Sequence, residues 1–177
     1  MRKLLLILPL LAFALMAFTP TPNPVVLSWA DPGTPEERIS QVIELDTAIA
    51  PELIIEAAQR AVADHYANAS VGIEAMTDNY LSFEGSGSFI ATGASVDLSY
   101  RIRIDAKEGK YRIKAYPATV TWKDGVRSWS YFYRSNGTLK PALSKSYHNG
   151  KAELYDAVAS LVLGIESELT PDPADDW

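Results

Sequence analysis

The sequence predicts an α+β domain, an antiparallel meander sheet of five to six strands with two helices packed on one face, in the order β-α-β-β-β-β-(β)-α. Three observations carry that expectation. Between Ser95 and Ala106 the residues Val96, Leu98, Tyr100, Ile102, Ile104 and Ala106 alternate with Asp97, Ser99, Arg101, Arg103 and Asp105, the period of a strand with one face buried and one wet. After Lys107-Glu108-Gly109 the alternation resumes, Tyr111, Ile113 and Ala115 against Lys110, Arg112 and Lys114, so the two runs form a hairpin. Beyond Pro51, and again beyond Lys151, apolar residues recur at helical spacing.

Taken in order, the chain opens with Met1-Arg2-Lys3 and the apolar run Leu4 to Phe18, the charged start and short core of a secretory signal. The run is short for a membrane span and Pro9 interrupts it. Residues 1–19 are read as a signal peptide, cleaved after Ala17 or as late as Ala30. Residues 20–37, which begin with Pro20-Thr21-Pro22-Asn23-Pro24, are read as an extended Pro-rich linker.

The body, 38–169, is read as one α+β domain. Arg38 to Leu45 supplies a first strand. Pro51 suits the first helical position and Glu52 the first turn; Ile54, Ala58, Ala61, Val62 and His65 then share a helical face that ends near Asn68. Val71, Ile73 and Ala75, followed past Thr77-Asp78-Asn79 by Leu81, Phe83, Gly85, Gly87 and Phe89, make two strands. A three-residue loop places Ala75 opposite Leu81 and Ile73 opposite Phe83. Gly85 and Gly87 at core-facing positions imply a close helix approach or a bulge. In the next hairpin a two-residue Glu108-Gly109 loop keeps the apolar set together, with Ile104 opposite Ile113 and Ala106 opposite Tyr111.

Past Ala115 the phase changes. An Asp124-Gly125 turn pairs Trp122 with Arg127, Val120 with Trp129, Ala118 with Tyr131 and Tyr116 with Tyr133. Tyr116, Trp122, Trp129, Tyr131 and Tyr133 then share a face, which continues the polar side of the hairpin unless a bulge at Pro117 returns it to the core. Arg134 to Gly150 reads as loop because of Asn136-Gly137, Pro141 and Asn149-Gly150. From Lys151 to Leu169 a broad apolar stripe predicts the closing helix, and the residues after it form an acidic, proline-broken tail expected to be disordered.

Composition excludes several functions. There is no cysteine, hence no disulfide, thiolate metal site, cysteine nucleophile or lipidated N-terminal cysteine. The expected address is export, to the periplasm, outer surface or beyond, and not as a lipoprotein. The formal charge is −6, and loss of Arg2 and Lys3 with the signal takes it to −8, which disfavours nucleic acid.

The candidate binding residues are Arg101, Arg103, Arg112 and Lys114, four cations on the wet face of the hairpin, together with Trp122 and Trp129, the indoles nearest the turn. The cations suit an anionic or carbohydrate ligand or an acidic protein partner, with Asp97 and Asp105 partly neutralising them; the indoles suit stacking on sugars or a partner surface. No catalytic residue, metal ligand or cofactor is assigned. His65 falls on the apolar side of its helix, as a core or boundary histidine, and His148 has no metal-spaced partner. Gly85-Ser86-Gly87-Ser88 lacks the flanking residues of a nucleophile elbow or phosphate loop, and Asp172, Asp175 and Asp176 lack a rigid calcium loop.

Tyr100-Arg101-Ile102 running into Lys107-Glu108-Gly109-Lys110-Tyr111-Arg112 resembles the K-[D/E]-G-[K/R]-Y-R hairpin of an exported bacterial family of unknown function with a TATA-binding-protein-like (TBP-like) fold. The Pro51-Glu52-Leu53 helix start, the Gly85-x-Gly87 strand and the C-terminal helix fit its layout from Arg38 to Leu169. The resemblance implies that fold and no activity. Many members are lipoproteins, from which this cysteine-free chain departs, and the fold name implies nothing about DNA, since function belongs to sites. The resulting expectation is a non-catalytic exported protein that binds a partner or ligand through its sheet. The alternatives are a glycan or ester hydrolase with an unrecognised carboxylate pair and an assembly subunit pairing through a sheet edge.

Overall fold

The computed structural model describes residues 25–65 and 72–170. The predicted signal peptide, Asn68, Val71 and the tail aspartates lie outside them. One antiparallel sheet contains β1 (Trp29–Ala30), β2 (Arg38–Glu44), β3 (Gly72–Thr77), β4 (Tyr80–Ala91), β5 (Ala94–Lys107), β6 (Lys110–Trp122) and β7 (Gly125–Ser128). Its order is β1-β2-β6-β5-β4-β3, with β7 sharing the outer edge of β6 with β2. Helices α1 (Pro51–His65) and α2 (Ser144–Leu169) complete the α+β fold.

Alternation decides what is buried. Leu81, Phe83, Leu98, Ile102, Ile104 and Ile113 lie under Ile54, Ala58, Ala61 and Val62 of α1 and Leu154, Val158, Leu161 and Ile165 of α2. The alanines of α1 let the helices meet closely, and a Cβ at Gly164 would stand 3.2 Å from that of Ala61. In β4 there is no bulge at the glycines, because its register with β5 runs unbroken from Tyr80–Asp105 to Ala91–Ala94, and the expected close helix approach holds at Gly87 but not at Gly85. The Tyr100 ring occupies the space over Gly85, and Glu153 of α2 the space over Gly87. The β5–β6 hairpin has the predicted two-residue loop and both predicted pairs, Ile104–Ile113 and Ala106–Tyr111.

A bulge lies at Pro117. Tyr100 faces Pro117 while Ser99 faces Thr119, leaving Ala118 without a partner in the ladder. The extra residue switches the faces of β6: Tyr116 stays on the wet side opposite Arg101, whereas Val120 is buried opposite Leu98.

Four expectations are corrected. A seventh strand, β1, sits inside the stretch expected to be linker: Trp29 pairs with Ile39, Leu27 is buried, and Tyr155 of α2 clamps this arm by accepting from Leu27 N–H at 3.2 Å and donating to the Val25 carbonyl at 3.0 Å. The β3–β4 loop has two residues, so Met76 rather than Ala75 faces Leu81, and a register shift between Ile73 and Ala75 restores the Ile73–Phe83 pair. At the β6–β7 turn Trp122 faces Gly125, whose φ of 135° only glycine adopts without strain. The strand stops at Ser128 and a 3-10 turn, Trp129–Phe132, follows, so the predicted Val120–Trp129, Ala118–Tyr131 and Tyr116–Tyr133 pairs do not form. Finally, α2 starts at Ser144 and runs through Asn149-Gly150. Gly150 serves packing there instead of ending a loop, since a Cβ on it would lie 3.1 Å from two Trp129 ring carbons.

Candidate functional site

Both helices cover one face of the sheet, and among the described residues nothing covers the other, the bare face on which the four predicted cations lie. Three are engaged. Arg101 donates to Glu74 at 2.8 Å and to Glu84 at 3.3 Å, Arg103 to Asp105 at 2.8 Å, and Arg112 to the other oxygen of Asp105 at 3.4 Å. Burial acts to raise the Asp105 pKa, but the hydrogen bonds and charges of Arg103 and Arg112 win and hold it below its ordinary value. The Asp105 hydrogen bond likewise raises the Arg103 pKa, and its guanidinium lies 4.7 Å from the centre of the Tyr80 ring. Lys114 differs. It faces Ser40 on one side and Arg103 on the other and has no ion pair among the described residues. Two positions along the strand, Tyr116 is 36% exposed.

The two tryptophans do not join this group. Trp122, half-buried, packs against the core on the helix side of the sheet, and its Nε1 is buried without an acceptor among the described residues. Trp129 is 2% exposed, which corrects its expected role as a ring open for stacking on a sugar or partner. Because the chain leaves β7 after Ser128, the 3-10 turn carries this ring inward, and Tyr133 follows it into the core.

These rings converge on Glu37, a residue that sequence reasoning placed at the end of the linker. Its side chain is 0% exposed. Oε1 accepts from Trp129 Nε1 at 3.0 Å and from the Tyr133 hydroxyl at 2.9 Å. Oε2 accepts from the Tyr147 hydroxyl at 2.6 Å, Lys151 Nζ at 3.0 Å and Gly33 N–H at 3.3 Å. The Lys151 ammonium also stands 3.9 Å from the centre of the Trp29 ring. Burial alone would push the carboxyl up; the donors, led by Tyr147 and Lys151, outweigh it and hold the pKa below its ordinary value. Burial, with the carboxylate beside them, pushes the phenols of Tyr133 and Tyr147 up. The two hydroxyls lie 3.2 Å apart, but each has one proton, and both protons serve Glu37.

Five donors fill every lone-pair direction of this carboxylate, so it has no capacity left to accept a substrate proton or hold a metal. Its work is mechanical: it ties the N-terminal arm to the 3-10 turn and to α2. The four side-chain donors lie 92 to 114 residues further along the chain, and no local pattern announces them. The histidines are placed apart. His65 is exposed at the end of α1, correcting its expected place on the buried side, and His148 is exposed with its ring centre 5.0 Å from that of Tyr147. Among the described residues no group of three or more His, Asp or Glu is placed to hold a metal ion.

No family model and no curated protein sequence matches the chain. Solved structures do. A TBP-like protein from Parabacteroides distasonis superposes with a TM-score of 0.59 at 12% identity, over 76% of this chain and 92% of that one.

The fold is TBP-like.

A DUF4468 family protein from Bacteroides ovatus agrees, with a TM-score of 0.60 at 11% identity over 83% of this chain and 92% of its own. Identities this low establish the TBP-like architecture and leave the chemistry of the bare face to be argued from its own residues. Among the described residues no helix is long and apolar enough to cross a membrane.

Proposed function

We propose that this TBP-like chain is an exported, non-catalytic binding protein that presents the bare face of its sheet to an acidic carbohydrate. The observation that carries the reading is the block formed by Lys114 and Tyr116 on β6 with Arg103 and Arg101 opposite them on β5. It joins a cation that has no carboxylate partner among the described residues to an exposed ring beside it. A charged sugar uses both, the carboxylate or sulfate on the ammonium and the ring face on the phenol. Export is supported by the charged start and apolar run at the N-terminus, and the net negative charge opposes binding to nucleic acid. The hydrolase alternative finds no support in Glu37, whose lone pairs are all taken. Edge pairing through β3 is opposed by the irregularity between Ile73 and Ala75, since a bulge twists an edge away from new partners.

The test is an amide chemical-shift titration of the protein with a sulfated disaccharide and with its unsulfated counterpart. Shifts concentrated at Arg103, Lys114 and Tyr116, present with the sulfated sugar and lost in Lys114→Ala, are expected. Shifts spread over α1 and α2, or equal responses to the two sugars, would remove the reading.

A further inference from the structure

The helix side of the sheet contains a second feature, independent of the bare face. Where β2 runs beneath the last turns of α2, an open cleft of about 610 Å³ is lined by Ile43, Leu45, Ile49, Val162 and Leu169. That volume falls within the range of small-molecule sites. Ile43, Leu45, Ile49 and Leu169 are half-buried and pack against the core, so they turn apolar surface toward the opening as well.

Its charged groups have one sign. Glu44, Asp46 and Glu166 also line the cleft, Glu166 half-buried, and none of the three carboxylates has an ion pair among the described residues. Elsewhere Glu74 and Asp105 hold arginines and Glu37 holds Lys151, while the half-buried Glu153 accepts the Ser88 N–H. Beside the floor is a second orphan. Tyr111 faces Ile43 across the β2–β6 ladder, and its hydroxyl is wholly buried without a partner among the described residues. Burial raises the pKa of that phenol, and the Glu166 charge adds to the rise.

We propose that this cleft binds a small amphiphile with an apolar body and a cationic head. The apolar lining favours burial of the body. The unpaired carboxylates select the head: an ammonium gains from Glu166 and Asp46, whereas a carboxylate or phosphate head is repelled by both. A fatty acid is thereby excluded and a long-chain amine favoured.

Three probes with one chain and different heads test this, decylamine, decanol and decanoate, each titrated calorimetrically into the full chain below its aggregation concentration. Expected is saturable one-to-one binding of decylamine, weaker binding of decanol and none of decanoate. The double variant Glu166→Gln with Asp46→Asn keeps the cleft's shape and lies on the surface, so it should fold. It should weaken decylamine by about tenfold while leaving decanol unchanged, the effect of losing one charge-assisted contact. Leu45→Trp, which fills the cleft, should abolish binding of both neutral and cationic probes. Binding of decanoate as tight as that of decylamine overturns the proposal. Multisite uptake of decylamine that survives Leu45→Trp also overturns it, as adsorption to an acidic surface. Silence from all three probes does so too. Because neither variant touches Lys114 or Tyr116, the outcome is separate from that of the sugar titration.

Discussion

Lys151 of α2 meets Glu37 of the N-terminal arm at 3.0 Å, the carboxylate fully buried and the lysine side chain 18% exposed. A buried ion pair is neutral at best against a well-packed apolar replacement, but removing one partner leaves a charge stranded. Glu37→Gln preserves shape and turns the acceptor of four side-chain donors into an amide with one oxygen. The expected loss is about 3–5 kcal/mol, measured as a shift of the urea midpoint at unchanged slope. A variant within 1 kcal/mol of the parent would show that the pair is not held as described.

The same network sets how stability depends on pH. The Glu37 pKa is lower in the folded chain than in the unfolded one, so its contribution is complete above the unfolded carboxylate value and disappears as pH falls through the folded value. Asp105 acts in the same direction, more weakly because it is nearer solvent. Tyr111, Tyr133 and Tyr147 have pKa values raised above the ordinary 10.0. In the unfolded chain they ionise near 10 while the folded chain keeps their protons, so stability falls above that pH. Thermal melts across pH should show a plateau bounded by an acid limb and an alkaline limb, and Glu37→Gln should flatten most of the acid limb. An acid limb of unchanged size in that variant would assign it to other carboxylates.

How much of this was legible depended on how far apart the interacting residues are. The β5–β6 hairpin could be read to its register because parity and a two-residue loop are local constraints, and the bulge at Pro117 could be located because proline cannot continue the ladder. The Glu37 site could not, since a glutamate after a proline-rich stretch looks solvated until donors 92 or more positions away close over it. The start of α2 was hidden by Asn149-Gly150, where tertiary packing of Trp129 overrides the usual breaking effect of the pair. Of the six candidate binding residues, alternation placed the four cations on the wet face correctly, while Trp122 depended on the bulge at Pro117 and Trp129 on where β7 ends.

Gly150 leads to a prediction in which two effects oppose. Alanine in a helix interior is favoured over glycine by about 1 kcal/mol, yet its Cβ would lie 3.1 Å from the Trp129 ring and 3.3 Å from that of Phe89. The indole cannot move aside freely, because its Nε1 is tied to Glu37. Gly150→Ala should therefore destabilise, by about 1–3 kcal/mol as overpacked cores do, and should shift the tryptophan emission. A stabilised variant would mean that the ring yields and that the Trp129–Glu37 bond is loose.

The last prediction concerns where the mature chain begins under the proposed export. Cleavage after Ala30 would fit the small residues Ser28 and Ala30, but it would remove Leu27, which is 6% exposed, and Trp29, whose ring lies under the Lys151 ammonium. Burying one leucine contributes about 2–3 kcal/mol, and the loss of β1 also deprives the Tyr155 hydroxyl of both its backbone partners. A chain starting at Asp31 should thus unfold at clearly lower urea than one starting at Pro24. The consequence for processing is direct, since a signal peptidase that cut after Ala30 would release a damaged domain. If the chain is exported as proposed, mass spectrometry of the mature protein should find its first residue upstream of Val25, consistent with a cut near Ala17. A mature chain beginning at Asp31 with undiminished stability would show that the arm is dispensable and that Glu37 is held by the 3-10 turn and α2 alone.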